Sequence, residues 1–298
     1  MSEDRNRRFA IATVVATLFV IELAAWAFFA WGPESFERTR QRLTGEVKAN
    51  WRLFVPQPYL LYVPGPGYAN KAGLQHNEQG YRGEAVPRHR RPGYARVLCM
   101  GGSTTYSSRV LDAAQSFPAH LQRLLERDKP QPVKGVEVIN AGLPSGTSAE
   151  VLTHWIFKFH HYQPDVVVIH SGGNDAAAMV RSGYQPDYSH WRGPFQVPKP
   201  LAPGGRALMS WRTGALFFIL LAHGAEPRVS LLDLPPGQEP PAQWFEPERD
   251  GQGRVRYRSS EIGFLHNLDT VVRLMTSRGA KVVLLPFRPA PKSDYSPE

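Results

Sequence analysis

The chain has 298 residues, of which 42% are hydrophobic and 20% charged, which is enough apolar material for one sizeable core and too much for a disordered chain. Its single cysteine, Cys99, excludes an internal disulfide and a cysteine-rich zinc site. The net charge of +9 comes from scattered basic residues rather than from one helix or tail, so we expect no nucleic-acid partner.

Residues 9–31 form an apolar run that is interrupted by Glu22 and two threonines. A helix of this length, at about 1.5 Å per residue, covers the ~30 Å hydrocarbon core of a bilayer. The run is longer than the roughly 7 to 15 apolar residues of a signal peptide, and no small-x-small cleavage site precedes Gly32. We therefore interpret residues 1–32 as an uncleaved membrane anchor rather than a cleaved signal peptide.

Charges beside the run indicate its orientation. Arg7 and Arg8 adjoin one end, whereas Glu34 and Glu37 come first beyond the other end, which favours a cytoplasmic N-terminus. We predict a single-pass protein of a bacterial inner membrane whose globular part lies in the periplasm or outside the cell, with the lipid bilayer as its partner along residues 9–31. Glu22 is either a tolerated carboxylate of this anchor, which we favour, or a functional intramembrane group.

Residues 33–94 are rich in proline and glycine in their second half and predict an extracytoplasmic connector of turns and extended chain. From residue 95 onward, short apolar runs alternate with helical patterns. The predicted strands are 96–100, 136–140, 165–170 and 281–285, and the predicted helices begin near Pro118 and Ser148 and run from Ile262 to Met275. This alternation predicts a parallel sheet with helices on both faces and with functional sites at the carboxyl ends of the strands.

The alternating pattern is absent from about residue 181 to residue 258, and we interpret this segment as an insertion over the site. Its apolar stretch, residues 216–221, is too short to span a bilayer. We favour a buried helix of the insertion, and the alternative is a helix that grazes the membrane.

Polar and glycine-rich residues follow the first three predicted strands. Ser103 comes after Gly101 and Gly102, residues 140–148 follow the second strand, and Asn174 lies in a Ser-Gly-Gly-Asn-Asp segment after the third. A serine in a tight turn with free backbone N–H groups is a candidate nucleophile beside an oxyanion site. The alternatives are an ordinary strand-to-helix turn or a phosphate cradle, but the G-x-G-x-x-G and G-x-x-x-x-G-K-[ST] motifs are absent here.

In order and spacing these segments resemble the first three blocks of the SGNH, or GDSL-type, hydrolase family over about residues 96–175. The resemblance implies a flavodoxin-like three-layer α/β/α sandwich with a mostly parallel sheet, preceded here by one N-terminal transmembrane helix. It also implies a serine acyl-ester hydrolase or O-acyltransferase that needs no cofactor and no metal. The nucleophile is then Ser103, and the oxyanion donors are the backbone of Ser103, the backbone of Ser145 or Gly146, and the side chain of Asn174.

In that family an Asp-x-x-His pair beyond the fourth strand supplies the general base, and no histidine follows the fourth predicted strand here. Three explanations stay open. The chain is a truncated form of a longer enzyme, which we favour; or it binds glycan or acyl ligands in the same cleft without catalysis; or another histidine, His170, His190 or His223, acts as the base. On the first explanation, residues 95–298 are a hydrolase-like domain with an incomplete C-terminal part. Location at the cell envelope suggests an ester-bearing glycan or lipid as the substrate.

Overall fold

The computed structural model describes residues 2–44, 53–70, 72–129, 131–192, 203–223, 247, 249–255 and 261–286. In chain order the helices are α1 (Ser2–Trp31), α2 (Glu34–Thr44), α3 (Ser103–Tyr106), α4 (Phe117–Arg127), α5 (Ser148–Phe157), α6 (Gly173–Met179), α7 (Ser189–Arg192), α8 (Pro203–Ser210), α9 (Arg212–His223) and α10 (Glu261–Ser277). The strands are β1 (Phe54–Gln57), β2 (Leu61–Pro64), β3 (Tyr94–Gly101), β4 (Gly135–Gly142), β5 (Val166–His170) and β6 (Lys281–Leu284).

The chain divides into two compact units. Residues 1–48 and 197–234 form the first, here called the helical unit, and residues 49–196 and 235–298 form the second, here called the sheet unit. In the helical unit, α1, α2, α8 and α9 surround a small apolar core that includes Phe36, Met209 and Ile219. Within the described residues, one helix, Asp4–Trp31, is long and apolar enough to cross a membrane, with a mean hydropathy of 2.1.

The sheet unit is built on a parallel sheet with the strand order β4-β3-β5-β6. Because both strand faces are apolar, each can be covered by helices. On one face, Leu98 and Met100 pack with residues of α5 and α10; on the other, Val97 and Cys99 pack with α4. The predicted α/β fold with a mostly parallel sheet and helices on both sides is therefore confirmed.

Residues 53–94 fold against the loop that follows β3. β1 and β2 form an antiparallel hairpin. The buried His76 ring contacts the Gly65 carbonyl at 2.9 Å and the Tyr106 hydroxyl at 2.5 Å, and the buried Arg82 donates to the Ser107 carbonyl at 2.6 Å. These polar contacts hold the chain around α3 in place from outside the sheet.

The apolar stretch 216–221 lies in α9, as a helix, but it is buried on one side only. Ile219 is fully buried, whereas Phe217 and Leu221 are exposed. The expectation of a buried helix is thus wrong for its second side, because the described helices α1, α2 and α8 cover only one side of α9.

Candidate active site

The site lies at the carboxyl end of the parallel sheet, where three strands end side by side. Gly101 at the end of β3 pairs with Gly142 of β4 and with His170 of β5. A Cβ atom on Gly101 would lie 2.1 Å from the His170 carbonyl oxygen, and φ of Gly101 is +153°, so only glycine fits. The chain then turns at Gly102, and Ser103 begins α3.

The turn at Gly102 brings the three predicted segments together. A Cβ atom on Gly102 would lie 2.8 Å from the side-chain nitrogen of Asn174 and 3.6 Å from the carbonyl oxygen of Gly146. Asn174 Nδ2 itself donates a hydrogen bond to that Gly146 carbonyl at 2.8 Å. The residue before Ser103 therefore lies close to both other segments, and its lack of a side chain leaves room for the Asn174 amide.

The turn after β4 contains Ser145 and Gly146. Ser145 has φ of +62°, in the left-handed region that favours glycine. Its carbonyl accepts a hydrogen bond from the indole nitrogen of Trp191 in the insertion at 3.0 Å, and the Gly146 N–H is donated to the Leu143 carbonyl at 2.9 Å. Hydrogen bonds from the Trp191 indole and to the Leu143 carbonyl therefore fix the backbone of this turn.

A buried carboxylate, Asp175, supports the third segment, and the sequence motifs do not indicate it as a site residue. It accepts hydrogen bonds from the N–H of Ser148 at 3.0 Å, from the Ser148 hydroxyl at 2.6 Å and from the Tyr188 hydroxyl at 2.9 Å. Burial raises the pKa of Asp175, and the hydrogen bonds from Ser148 act against that rise. The sequence signal was the acidic residue directly after Asn174.

The same contacts correct the expected start of α5. The sequence predicts a helix that begins near Ser148, with the Ser148 side chain as a possible cap, but the cap is Thr147, which forms a capping box with Glu150. The Ser148 hydroxyl is instead committed to Asp175, and it accepts a hydrogen bond from Asn267 of α10 at 3.1 Å.

No hydrogen bond joins the Ser103 hydroxyl to a histidine in the part of the chain that the structure describes. His170 follows Ile169 at the end of β5, and burial lowers its pKa. The ring of His190 is engaged elsewhere, because Nδ1 accepts from the N–H of Gln185 at 3.1 Å and Nε2 lies 2.9 Å from the Ala178 carbonyl. The side chain of His223 lies outside the described residues.

His190 also belongs to an Asp-x-x-His spacing, Asp187 to His190, that the sequence reasoning overlooked. The structure uses these residues locally. The Asp187 carboxylate accepts from the Ser189 N–H at 2.9 Å at the start of α7, and both ring nitrogens of His190 have backbone partners. The spacing alone therefore does not make a catalytic pair here.

The sequence profile of the GDSL-like lipase/acylhydrolase family matches residues 99–298. The chain belongs to this family. The match starts within β3 and includes Ser103, Ser145, Gly146 and Asn174, so the family resemblance inferred from the three segments is confirmed. No curated protein sequence shows a significant match to the chain.

Several solved structures are similar to the chain at low identity. The SGNH-hydrolase family esterase AlinE4 is 18% identical, with 62% of this chain and 94% of that chain covered and a TM-score of 0.26. A GDSL-like lipase from Bacteroides thetaiotaomicron is 15% identical, with 63% and 67% covered and a TM-score of 0.24. TesA is 19% identical, with 60% and 99% covered and a TM-score of 0.25.

Proposed function

We propose that this protein is a serine acyl-ester hydrolase in which Ser103 is the nucleophile. The observation that carries the proposal is the closeness of Gly102, the residue before Ser103, to the Asn174 amide, where a Cβ atom on Gly102 would lie 2.8 Å from the amide nitrogen. This closeness supports a nucleophile at Ser103 with a side-chain hydrogen-bond donor beside it at one sheet edge. Membership in the acylhydrolase family supports the same reaction class.

In the proposed reaction the Ser103 hydroxyl oxygen attacks the ester carbonyl carbon while a general base takes the hydroxyl proton. The carbonyl oxygen becomes an oxyanion, and collapse of the tetrahedral intermediate expels the alcohol, which takes up the proton. Water then attacks the acyl-serine by the same steps and releases the acid. An O-acyltransferase differs only in the last step, where an acceptor alcohol replaces water.

Three donors are proposed for the oxyanion. The Ser103 N–H is the first, and the Asn174 amide is the second, because an amide nitrogen carries two hydrogens and one of them is bonded to Gly146. For the third we favour the N–H of Ser145, since the N–H of Gly146 is already donated to Leu143.

The first experiment is the hydrolysis of p-nitrophenyl acetate together with labelling by a fluorophosphonate probe. It uses a version of the chain that is extended at its C terminus by an Asp-x-x-His block, because the described residues show no general base bonded to Ser103. Ser103→Ala is expected to abolish labelling and to lower kcat by about 10³-fold or more. Asn174→Ala is expected to cost about 10² to 10³ in kcat, as is typical of one oxyanion donor. Ligand binding that survives Ser103→Ala, with no ester turnover and no labelling of Ser103 in the extended version, would contradict the proposal and support a binding protein that uses the same cleft.

We further propose that α1 anchors the chain in a bacterial inner membrane, with the sheet unit in the periplasm or outside the cell and an ester-bearing envelope glycan or lipid as substrate. Support comes from the length and hydropathy of Asp4–Trp31. A reporter enzyme that is active only in the periplasm, fused after residue 286, is expected to be active. Activity of a cytoplasm-specific reporter at the same position would reverse the orientation.

A further inference from the structure

Part of the insertion, α8 and α9, belongs to the helical unit. The proposed reaction assigns no role to these two helices. α8 and α9, some 170 residues after α1 in the chain, pack with α1 and α2 around one apolar core. Partly buried rings of Phe28 and Phe29 of α1 lie against this core, and Phe28 meets Phe36 of α2 edge to face at 5.1 Å. α9 is therefore a packed neighbour of the apolar N-terminal helix.

The carboxylate of Glu22, within the apolar run of α1, binds the first turn of α9. It accepts the Arg212 N–H at 2.7 Å, the Thr213 N–H at 3.0 Å and the Thr213 hydroxyl at 2.7 Å. Backbone N–H groups at a helix start lack partners within the helix and favour an anion. A carboxylate that is costly by itself in an apolar layer thus has three donors, all from α9.

The positive charge at this junction is paired as well. The Arg212 guanidinium donates to Glu37 of α2 at 3.0 Å, and its central carbon lies 4.7 Å from the ring centre of Trp26. Because both the Glu22 carboxylate and the Arg212 guanidinium have hydrogen-bond partners, the free-energy cost of placing this junction away from water is lower.

The length of α1 sets the depth of the junction. From Phe9, where the apolar run begins, to Glu22 the helix rises about 20 Å, which is less than the ~30 Å hydrocarbon core. A membrane span that starts at Phe9 therefore continues past Glu22. Groups that are hydrogen-bonded to Glu22 then lie at the depth of the acyl chains, and α9 begins there.

α9 also has an apolar side that the helical unit leaves uncovered. Phe217 is 64% and Leu221 72% exposed, whereas Ala215 and Ile219 on the other side are fully buried. α1 exposes Phe19 and Leu23 in the same way. With 12 residues, α9 is about 18 Å long and too short to cross the bilayer alone. Phe28 and Phe29 of α1 pack against the core that α9 shares, so α9 runs from Glu22 toward Trp31, and the ~14 Å of apolar run that remain there reach about as far as Leu221.

We infer that α9 is a second membrane-embedded helix, docked on α1 through Glu22, whose Phe217 and Leu221 side contacts lipid acyl chains. This inference rests on the proposed anchoring by α1 and deepens it. We assign this side to lipid acyl chains rather than to a second protein. The reason is that the exposed apolar side chains of α9 lie next to those of α1, and the hydrogen bonds to Glu22 hold the start of α9 at the depth of the acyl chains.

The test uses the full chain in phosphatidylcholine and phosphatidylglycerol vesicles. Cys99, which is buried, is replaced by alanine, and single cysteines at positions 217 and 221 carry an environment-sensitive fluorophore. Cysteines at Phe19 and at the exposed Glu78 serve as the lipid and water references. We expect nitroxides on the acyl chains to quench labels at 217 and 221 as they quench the label at 19, with iodide reaching only the label at 78.

Iodide quenching at 217 and 221, with acyl-chain quenching retained at 19, would overturn the inference while the α1 anchor stands. Iodide quenching at 19 would instead show that the anchor itself is wrong, and the inference falls with it. Protection at 221 from both quenchers, together with disulfide formation between two copies at 221, would assign this side to a dimer and also overturn it.

A second variant tests the docking through Glu22. Glu22→Leu removes the acceptors for α9 but keeps α1 apolar, so the label at 221 is expected to lose acyl-chain quenching while the label at 19 keeps it. Thr17→Leu is the matched control, because the Thr17 hydroxyl is bonded within α1 to Thr13. Unchanged quenching at 221 in Glu22→Leu would refute docking through this carboxylate.

Discussion

Individual backbone positions decide the geometry around Ser103. Gly102 has an ordinary φ of −85°, so its role is steric: the space that a Cβ atom would need is occupied by the Asn174 amide. Ser145 shows the opposite case, since its φ of +62° is one that a serine adopts at a cost and a glycine adopts freely. Each position therefore makes a separate prediction.

Gly102→Ala is expected to push the Asn174 amide out of place, because the added Cβ atom would lie 2.8 Å from Asn174 Nδ2. Loss of one aligned donor predicts a fall in kcat of roughly 10²-fold with the fold retained. Ester hydrolysis and circular dichroism measure the two effects. Gly251→Ala, at a position with open space around it, is the control and should leave both unchanged. Equal activity of the two variants would show that Asn174 is not a donor.

Ser145→Gly is expected to keep activity and to raise the free energy of unfolding by up to about 1 kcal/mol, because glycine has no penalty in the left-handed region. Ser145→Val is expected to lower the free energy of unfolding by about 1 to 2 kcal/mol and to slow ester hydrolysis, because a β-branched residue is disfavoured in the left-handed conformation. Urea unfolding and kcat measure the pair. If valine is tolerated in both assays, the turn does not depend on this conformation.

Between elements, the Asp175 carboxylate acts as the link. It belongs to α6, and it receives hydrogen bonds from the first residue of α5 and from Tyr188, just before α7. Asn267 of α10 joins through Ser148. This buried network keeps the helix that carries Asn174 aligned with the turn that carries Gly146.

Asp175→Ala is expected to lower the free energy of unfolding by roughly 3 kcal/mol, because it leaves the buried donors of Ser148 and Tyr188 without their acceptor. Chemical unfolding of the full chain measures the change. Asp269→Ala removes an exposed carboxylate that pairs with Arg273, and should cost no more than about 0.5 kcal/mol. If Asp175→Ala lowers the free energy of unfolding as little as Asp269→Ala does, the network does not hold α5 and α6 together.

For the sheet unit as a whole, two buried histidines predict a dependence of stability on pH. Burial lowers the pKa of His76 and of His154 to about 4, and the positive charges of Arg82 and Lys158, respectively, act in the same direction. In the unfolded chain the pKa of a histidine is about 6.5. Between these values the unfolded chain binds more protons than the native protein, so the free energy of unfolding falls as the pH falls.

Stability is therefore expected to be complete above about pH 6.5 and to decrease toward pH 4, by on the order of 3 kcal/mol for each histidine. Urea unfolding of the full chain at several pH values gives the slope. His154→Gln should reduce that slope between pH 5 and 6 by up to about 1.4 kcal/mol per pH unit, the contribution of one proton. An unchanged slope would show that His154 is protonated in the native state.

The sequence by itself determined the elements whose signals are local. The apolar run of α1, the strands β3 to β6 and the helices α4, α5 and α10 follow from hydrophobic periodicity. Ser103 and Asn174 stand out because each lies in a glycine-rich segment shortly after a strand. Periodicity reports which side of an element is apolar, so it predicts layers and strand ends well. It does not report which distant group a side chain meets.

Only the tertiary structure decided the contacts between residues far apart in the chain. It commits the N–H of Gly146 to Leu143, gives Asp187 and His190 local partners instead of a catalytic pairing, and joins Glu22 to Arg212 and Thr213. In each case several donors or acceptors could form the hydrogen bond, and the folded chain decides which of them lies within reach. Residue spacing along the sequence does not contain that information. The Asp-x-x-His spacing of Asp187 and His190 therefore marks the start of α7 in this protein.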